Sequence, residues 1–338
     1  MANVVWIPGV LGSRIGLRVG RTPIILPVWI DLRTLLAGGV VGLQLAPDGV
    51  SPGPLAGGLQ QVVQGIVEAA YGPFAVYMRS AGHNVLALGW DWRLHPAAAA
   101  PAAAAAIAAW AQGQPVWLVA HSYGGLLARC VAPLAAHSSP SWSVAGTITI
   151  GTPHYGSFEG SRLLFGLPPL YKALERWTAP GFLNSRGVGA QWLWQTVNTM
   201  PAWYVLSPFR DSGPLASLQP DVAAALYQPG TYRADSQPAA AWLAAAPGLQ
   251  GSLPGWPAGV PAWSIAGTGF DTPFGWHHLL GGGYDPRNYL HTQQGDGYVT
   301  VAQTSLPGAA LLTVPVQHTY QPLHPLVWAA VLGILGSV

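Results

Sequence analysis

The sequence predicts an α/β fold: an open, doubly wound, mostly parallel sheet with an inserted cap. Three features of the 338-residue chain carry that expectation. Six short apolar runs rich in β-formers recur along it, helix-length segments separate them, and the runs are continuous rather than alternating. Continuous Val/Ile/Leu runs belong to strands covered on both faces, which is what crossover helices impose on parallel strands. Strands that alternate with helices build one doubly wound layer.

The runs are VVWI (4–7), NVLAL (84–88), VWLVA (116–120), GTITI (146–150), AWSIA (262–266) and LLTVP (311–315). Helices are expected between them: residues 59–79 before the second run, the alanine-rich segment ending at Trp110 before the third, and residues 123–136 after it. Alanine is the best helix former, so PAAAAPAAAAAIAAW reads as a helix with a proline-marked start. The closing PLVWAAVLGILGSV is shorter than the roughly 18 apolar residues of a membrane span, and reads as a last helix on the sheet.

Two stretches interrupt the alternation. Residues 20–54 are rich in glycine and proline and read as a loop insertion, and residues 158–261, with tryptophans and Pro-Gly punctuation, read as a cap. Residues 1–157 and 262–338 then form the core.

Composition narrows the partners. Apolar residues make up 50% and charged residues 8%, against about 25% charged in ordinary soluble domains. The 14 Lys and Arg residues are scattered singly and the net charge is +2, which speaks against nucleic acid. The one cysteine, Cys130, has no intrachain partner for a disulfide and lacks the companions of a metal site. The first apolar run begins near residue 3, leaving no room for a signal peptide, so the expected compartment is the cytoplasm. A chain shortened from a secreted precursor would read the same way.

The third run leads into VWLVAHSYGGLLAR, residues 116–129. Here a strand stops on Ser122 between small residues and a helical pattern follows. Ala120-His121-Ser122-Tyr123-Gly124 is a G-x-S-x-G turn with alanine in the first position. Such a turn holds a serine in a strained, exposed pose and tolerates only small neighbours. A serine hydroxyl needs a base to take its proton and a carboxylate to orient that base, and in this arrangement they follow in the order Ser, Asp, His. Asp296 in GDG is the expected acid, with Asp271 and Asp285 as competitors, and His318 in VQHTYQPLH is the expected base ahead of His324. An acyl-transfer oxyanion would be met by the amides of Tyr123 and of Val10 or Leu11 in WIPGVLGS. His121 reads as structural, and His154 in GTPHYGS as a polar residue at a pocket rim.

These blocks resemble the lecithin:cholesterol acyltransferase family of α/β hydrolases, which includes lipase-like and phospholipase members. The likeness runs in order through VVWIPGVLGSRI, GWDWRLHP, VAHSYGG, TIGTPHYGS, TMPAWYVLSP, AGTGFDTP, GDGYVT and VQHTYQPLH. It implies the α/β-hydrolase fold, a nucleophile at Ser122, an acid at Asp296, a base at His318 and the same oxyanion donors. It also implies an ion pair within Asp91-Trp92-Arg93 that braces the active-site loops. Relatives outside the cell carry disulfides that one cysteine cannot make, so neither their membrane-binding subdomain nor acyl transfer to sterol carries over.

The implied reaction is hydrolysis of a carboxylic ester with a sizeable acyl group, with acyl transfer to an alcohol, or phospholipid cleavage, as alternatives. It needs no cofactor, and no metal-ligand spacing is present. Trp177, Trp192, Trp194 and Trp203 are candidates to line an acyl channel or to meet a lipid surface transiently.

Overall fold

The computed structural model describes residues 1–29, 31, 42–53, 59–165, 195–232, 238–279 and 284–337. All six apolar runs lie in the strands of one sheet. These are β1 (Asn3–Ile7), β5 (Asn84–Ala87), β6 (Pro115–His121), β7 (Ser143–Ile150), β8 (Ala262–Gly267) and β11 (Ala310–Val314). The spatial order is β11-β8-β7-β6-β1-β5 and every neighbouring pair is parallel. The molecule has the α/β-hydrolase fold.

Strand periodicity divides the core in two. Val5, Ile7, Leu118 and Ala120 point to one face, where α2 (Pro96–Ala111) and α3 (Tyr123–Val131) cover them. Val4, Trp6, Trp117 and Val119 alternate with them and point to the other, under α1 (Glu68–Ser80) and α10 (Pro325–Gly336). Leu118 and Val119 are both fully buried, and burial of each such side chain contributes about 1.5–3 kcal/mol. Among the described residues no helix is long and apolar enough to cross a membrane.

Local signals explain the helix ends. His95 caps α2 by accepting the Ala97 amide on Nδ1 at 3.1 Å, and Pro96 fills the first helical position. The expected helix 123–136 stays α-helical only to Val131, and residues Ala132–His137 tighten into a 3₁₀ turn with Pro133 in its first turn.

One expected helix is corrected. Residues 59–79 are a strand and then a helix: β4 (Leu59–Ile66) pairs antiparallel with β2 (Ser13–Val19), which also pairs antiparallel with β3 (Ile25–Trp29). Val62, Val63 and Ile66 suit a pleated surface, and their strand partner lies more than forty residues upstream. Part of the expected loop insertion at 20–54 is therefore a strand of this small sheet.

The stretch before Asp296 is a hairpin of β9 (Thr272–His278) and β10 (Tyr284–Thr292). Within 158–261 the described elements are helical: α4 (Phe158–Leu164), α5 (Pro201–Leu206), α6 (Gly213–Leu218), α7 (Pro220–Ala225) and α8 (Ala240–Gly251).

The order of strands places a switch point at β1: the chain goes out to β5 and returns to β6 on the other side of β1. Crevices beyond the carboxyl ends of strands at such a point are where ligands bind in open α/β sheets. Both β1 and β6 end there, at Ile7 and His121, and lead into Gly9 and Ser122 respectively.

Candidate active site

Ser122 makes the whole turn between β6 and α3, with φ 53° and ψ −128°. A side chain in that region stores about 1–3 kcal/mol of strain and persists only where neighbours enforce it. The Ser122 amide donates to the Ile150 carbonyl at 2.8 Å, which pins the turn to β7. The glycines around it are sterically required. A β-carbon at Gly124 would stand 2.5 Å from the Pro8 carbonyl oxygen, and one at Gly9 would stand 2.8 Å from Ser122 Cβ. One at Gly125 would collide with Thr152.

His318 begins a 3₁₀ turn (His318–Leu323) just after β11. Its Nε2 lies 2.9 Å from Ser122 Oγ and its Nδ1 lies 2.7 Å from Asp296 Oδ2. Asp296 is fully buried and its carboxylate has four donors. Oδ1 accepts the amides of Tyr298 at 3.0 Å and Val299 at 2.7 Å, while Oδ2 accepts from His318 and from Gln321 Nε2 at 3.0 Å. With acceptors filled this way, Nδ1 of His318 carries the proton, and Nε2 is left to accept from Ser122.

The loop that presents Asp296 is locally encoded. Gly297 takes φ 96°, and Thr300 with Gln303 closes a reciprocal capping box on α9 (Val301–Thr304). The loop is tied back to His318, whose amide donates to the Asp296 carbonyl at 2.9 Å. Gly151 (φ 55°) and Gly267 form the wall behind the pair. A β-carbon at Gly151 would sit 3.0 Å from His318 Nδ1 and 3.1 Å from Asp296 Oδ2, and one at Gly267 would sit 2.5 Å from Asp296 Cβ.

The oxyanion candidates lie after β6 and after β1. Tyr123 is the first residue of α3, so its amide has no intrahelical acceptor. After β1 the chain turns through Gly9–Gly12, closed by the Gly12 amide on the Gly9 carbonyl at 3.0 Å. Leu11 takes φ 64°. Among the described residues no hydrogen bond occupies the amides of Val10, Leu11 or Tyr123.

The other candidates fall elsewhere. His324 accepts the Leu326 amide on Nδ1 at 3.2 Å and caps α10. Asp271 pairs with His291 at 2.9 Å on the hairpin, both largely exposed, and Asp285 lies on β10. His154 does not stand at a rim: it is fully buried, with Nε2 3.3 Å from Thr149 Oγ1 and its ring edge-on to Trp256. Burial holds His154 well below the usual histidine range, and the Arg129 charge adds to this. Trp203 is buried in α5 with its ring centroid 6.4 Å from that of Trp92. Trp177, Trp192 and Trp194 lie outside the described residues.

The Asp91–Arg93 pair is bidentate, at 2.8 and 2.6 Å, and Arg93 is almost fully buried. Arg93 also donates to the Leu43 carbonyl at 3.0 Å and accepts the Ala202 amide at 3.2 Å, so one side chain and its backbone join three segments.

Several residues around the centre escaped the sequence. Gln321, fully buried, holds Asp296. Tyr298 packs against the His318 ring, tilted by 31° with centroids 5.2 Å apart. Glu159, at the start of α4, pairs with Arg162, whose guanidinium lies 5.7 Å over the Tyr289 ring. Burial raises the Glu159 carboxyl, and the charges of Arg162 and His318 oppose that rise. Only the spacing of Gln321 from His318, one 3₁₀ turn, was a usable signal. Among the described residues no three His, Cys, Asp or Glu side chains come together as a metal-binding group would require.

No protein-family model matches the chain, and no curated protein sequence does. The solved Tle4–Tli4 complex contains a chain similar to this one over 99% of this chain and 98% of that one, with a TM-score of 0.53 at 12% identity. Likeness at that identity concerns the fold alone. Bacillus licheniformis lipase BlEst2 in its mature form aligns at 15% identity over 99% of this chain and 91% of that one, with a TM-score of 0.36. Staphylococcus hyicus lipase aligns at 10% identity over 99% and 94%, with a TM-score of 0.41. Those two scores are too low to add to the fold assignment.

Proposed function

We propose that this chain is a serine carboxylic ester hydrolase, of lipase or esterase type, working through an acyl-enzyme on Ser122. The observation that carries the reading is the Ser122–His318–Asp296 line, at 2.9 and 2.7 Å. A turn residue held in strain gains nothing from such a line unless its hydroxyl reacts.

The chemistry runs in two halves. His318 Nε2 takes the Ser122 hydroxyl proton as Oγ attacks the ester carbonyl carbon. The carbonyl electron pair moves to oxygen, where the Tyr123 amide and that of Val10 or Leu11 receive it. Collapse expels the alcohol, which takes the proton from His318, and leaves an acyl ester on Ser122. Water then attacks that ester, gives a proton to His318, and releases the acid as Ser122 recovers its proton. Asp296 stays ionised and fixes the imidazole tautomer throughout. No metal or cofactor enters either half.

The low charge content, 8%, favours an apolar acyl group as substrate. The order of the motif blocks, which resembles that of the lecithin:cholesterol acyltransferase-like hydrolases, supports the same reading. Residues 158–261 act as the cap over the site in this reading. The test is hydrolysis of p-nitrophenyl esters of rising acyl length, run through the solubility limit of each, with Ser122→Ala as control. The reading predicts turnover that the variant abolishes, rising with chain length. Equal turnover by Ser122→Ala would overturn it.

A further inference from the structure

Behind the nucleophile runs a chain of buried hydrogen bonds that the reaction above does not use. The Gly9 amide donates to the Tyr71 hydroxyl oxygen at 3.0 Å. That oxygen lies 2.9 Å from His121 Nδ1, and His121 Nε2 lies 3.2 Å from the His318 carbonyl oxygen. Gly9 opens the oxyanion loop, His121 is the last residue of β6, and His318 is the base.

The direction of every bond is fixed by what each atom can do. An amide only donates, so the Tyr71 oxygen accepts from Gly9 and its single proton goes to His121 Nδ1. With Nδ1 accepting, the imidazole proton sits on Nε2 and goes to the His318 carbonyl, which only accepts. A charged His121 would present a proton to the Tyr71 hydroxyl, whose own proton would then have no acceptor. Burial keeps His121 neutral, holding it well below the usual histidine range, and the charge on nearby His318 acts in the same direction. The Tyr71 hydroxyl is likewise pushed up by burial and stays protonated.

We infer that Tyr71 and His121 are positioning residues that lock the oxyanion loop and the base loop into one register around Ser122. The inference rests on the ester-hydrolase reading. Other contacts give the relay leverage on geometry. Gly9 backs so closely onto Ser122 that an added β-carbon would stand 2.8 Å from Ser122 Cβ, and the candidate donors Val10 and Leu11 follow it immediately. The His121 and His318 rings pack with centroids 4.9 Å apart. Tyr71 is anchored from below, where its carbonyl accepts Trp6 Nε1 at 3.0 Å. Loss of one link frees the Gly9 amide, with the amides after it, to drift from the position the oxyanion takes. A displacement on the order of 1 Å at such a site costs about 100-fold in rate.

The experiment compares Tyr71→Phe, His121→Gln and the double variant with the wild type on a soluble p-nitrophenyl ester. Tyr71→Phe keeps the ring and its packing while removing the hydroxyl. His121→Gln retains a donor toward the His318 carbonyl but loses the Tyr71 bond. Each single variant is expected to lower kcat by about 10- to 100-fold with KM changed less than threefold. The double variant is expected to fall no further than the worse single one, because one relay is already broken. Wild-type kcat in Tyr71→Phe, a change confined to KM, or losses that multiply in the double variant would each overturn the inference. If His121→Gln does not fold, the kcat of Tyr71→Phe decides alone. Failure of the hydrolase reading is separate, because it appears as persistent turnover in Ser122→Ala.

Discussion

Replacing Asp296 by asparagine changes one atom and separates orientation from mere packing. In the wild type the two carboxylate oxygens accept from four donors: Tyr298 and Val299 amides on Oδ1, His318 Nδ1 and Gln321 Nε2 on Oδ2. An asparagine keeps one acceptor. The two backbone amides cannot turn away, so its oxygen stays with them and its NH₂ group faces His318 and Gln321. Gln321 can answer by rotating its amide, since its Oε1 is buried and without a partner. His318 can answer only by changing tautomer, so that Nδ1 accepts and Nε2 carries the proton. Nε2 then donates to Ser122 Oγ instead of accepting its proton, and the base is lost. Loss of the correct tautomer costs about 10⁴-fold in kcat in a Ser-His-Asp site, equivalent to about 5.4 kcal/mol in the barrier. All four contacts survive, two unchanged and two with donor and acceptor exchanged, so the thermal midpoint should fall by only a few degrees. The assay is steady-state kcat on a soluble p-nitrophenyl ester at pH 8, with Ser122→Ala as the background, beside a thermal melt. A fall of less than tenfold with the fold intact would refute the tautomer argument.

Gly151→Ala should lower both stability, by about 1–3 kcal/mol, and kcat. Its β-carbon would crowd His318 Nδ1 at 3.0 Å and Asp296 Oδ2 at 3.1 Å from a φ of 55°, and an unchanged urea midpoint would contradict this. Ser122→Gly should be more stable than Ser122→Ala by about 1 kcal/mol, because both lose Oγ but only glycine relieves a φ of 53°. Equal melting temperatures would mean the turn stores no strain. His95, His121 and His154 are all held below the ordinary value of 6.5, chiefly by burial. Above 6.5 both folded and unfolded states carry them neutral, so they add no pH dependence. Below it the unfolded chain binds protons that the fold refuses, and each group then costs up to about 1.4 kcal/mol per pH unit. The urea midpoint should therefore drop between pH 7 and pH 5, and a flat profile would show that these rings protonate in place.

Much of this architecture was legible because burial on both faces leaves a plain mark. The six apolar runs needed no partner information to be read as parallel strands, and the small residues at 120, 124 and 125 follow from local crowding at one turn. Ser122 and His318 could each be sought just beyond a strand of the main sheet, while Asp296 follows the β9–β10 hairpin that extends the chain past β8. Strand β4 was not legible. LQQVVQGI runs without a break into a helix that begins at Glu68, and what makes it a strand is pairing with β2, far upstream. Tyr71 gave no signal, and Gln321 gave only its spacing from His318, for a related reason. Each is one polar residue on an otherwise ordinary element, and its role exists only once other loops arrive beside it. His154 shows the reverse failure: a histidine near a strand end looks available, yet here it is packed out of reach beneath Trp256.

The central claim is that Ser122 Oγ is the reacting nucleophile, and covalent labelling tests it most directly. The protein would be treated with an alkyl fluorophosphonate, followed by intact-mass analysis, peptide mapping and parallel assay of ester turnover. The account predicts one phosphonyl group per chain, located on Ser122, with turnover lost in proportion to labelling and no label on Ser122→Ala. A label on another residue, or full occupancy of Ser122 with turnover preserved, would contradict it.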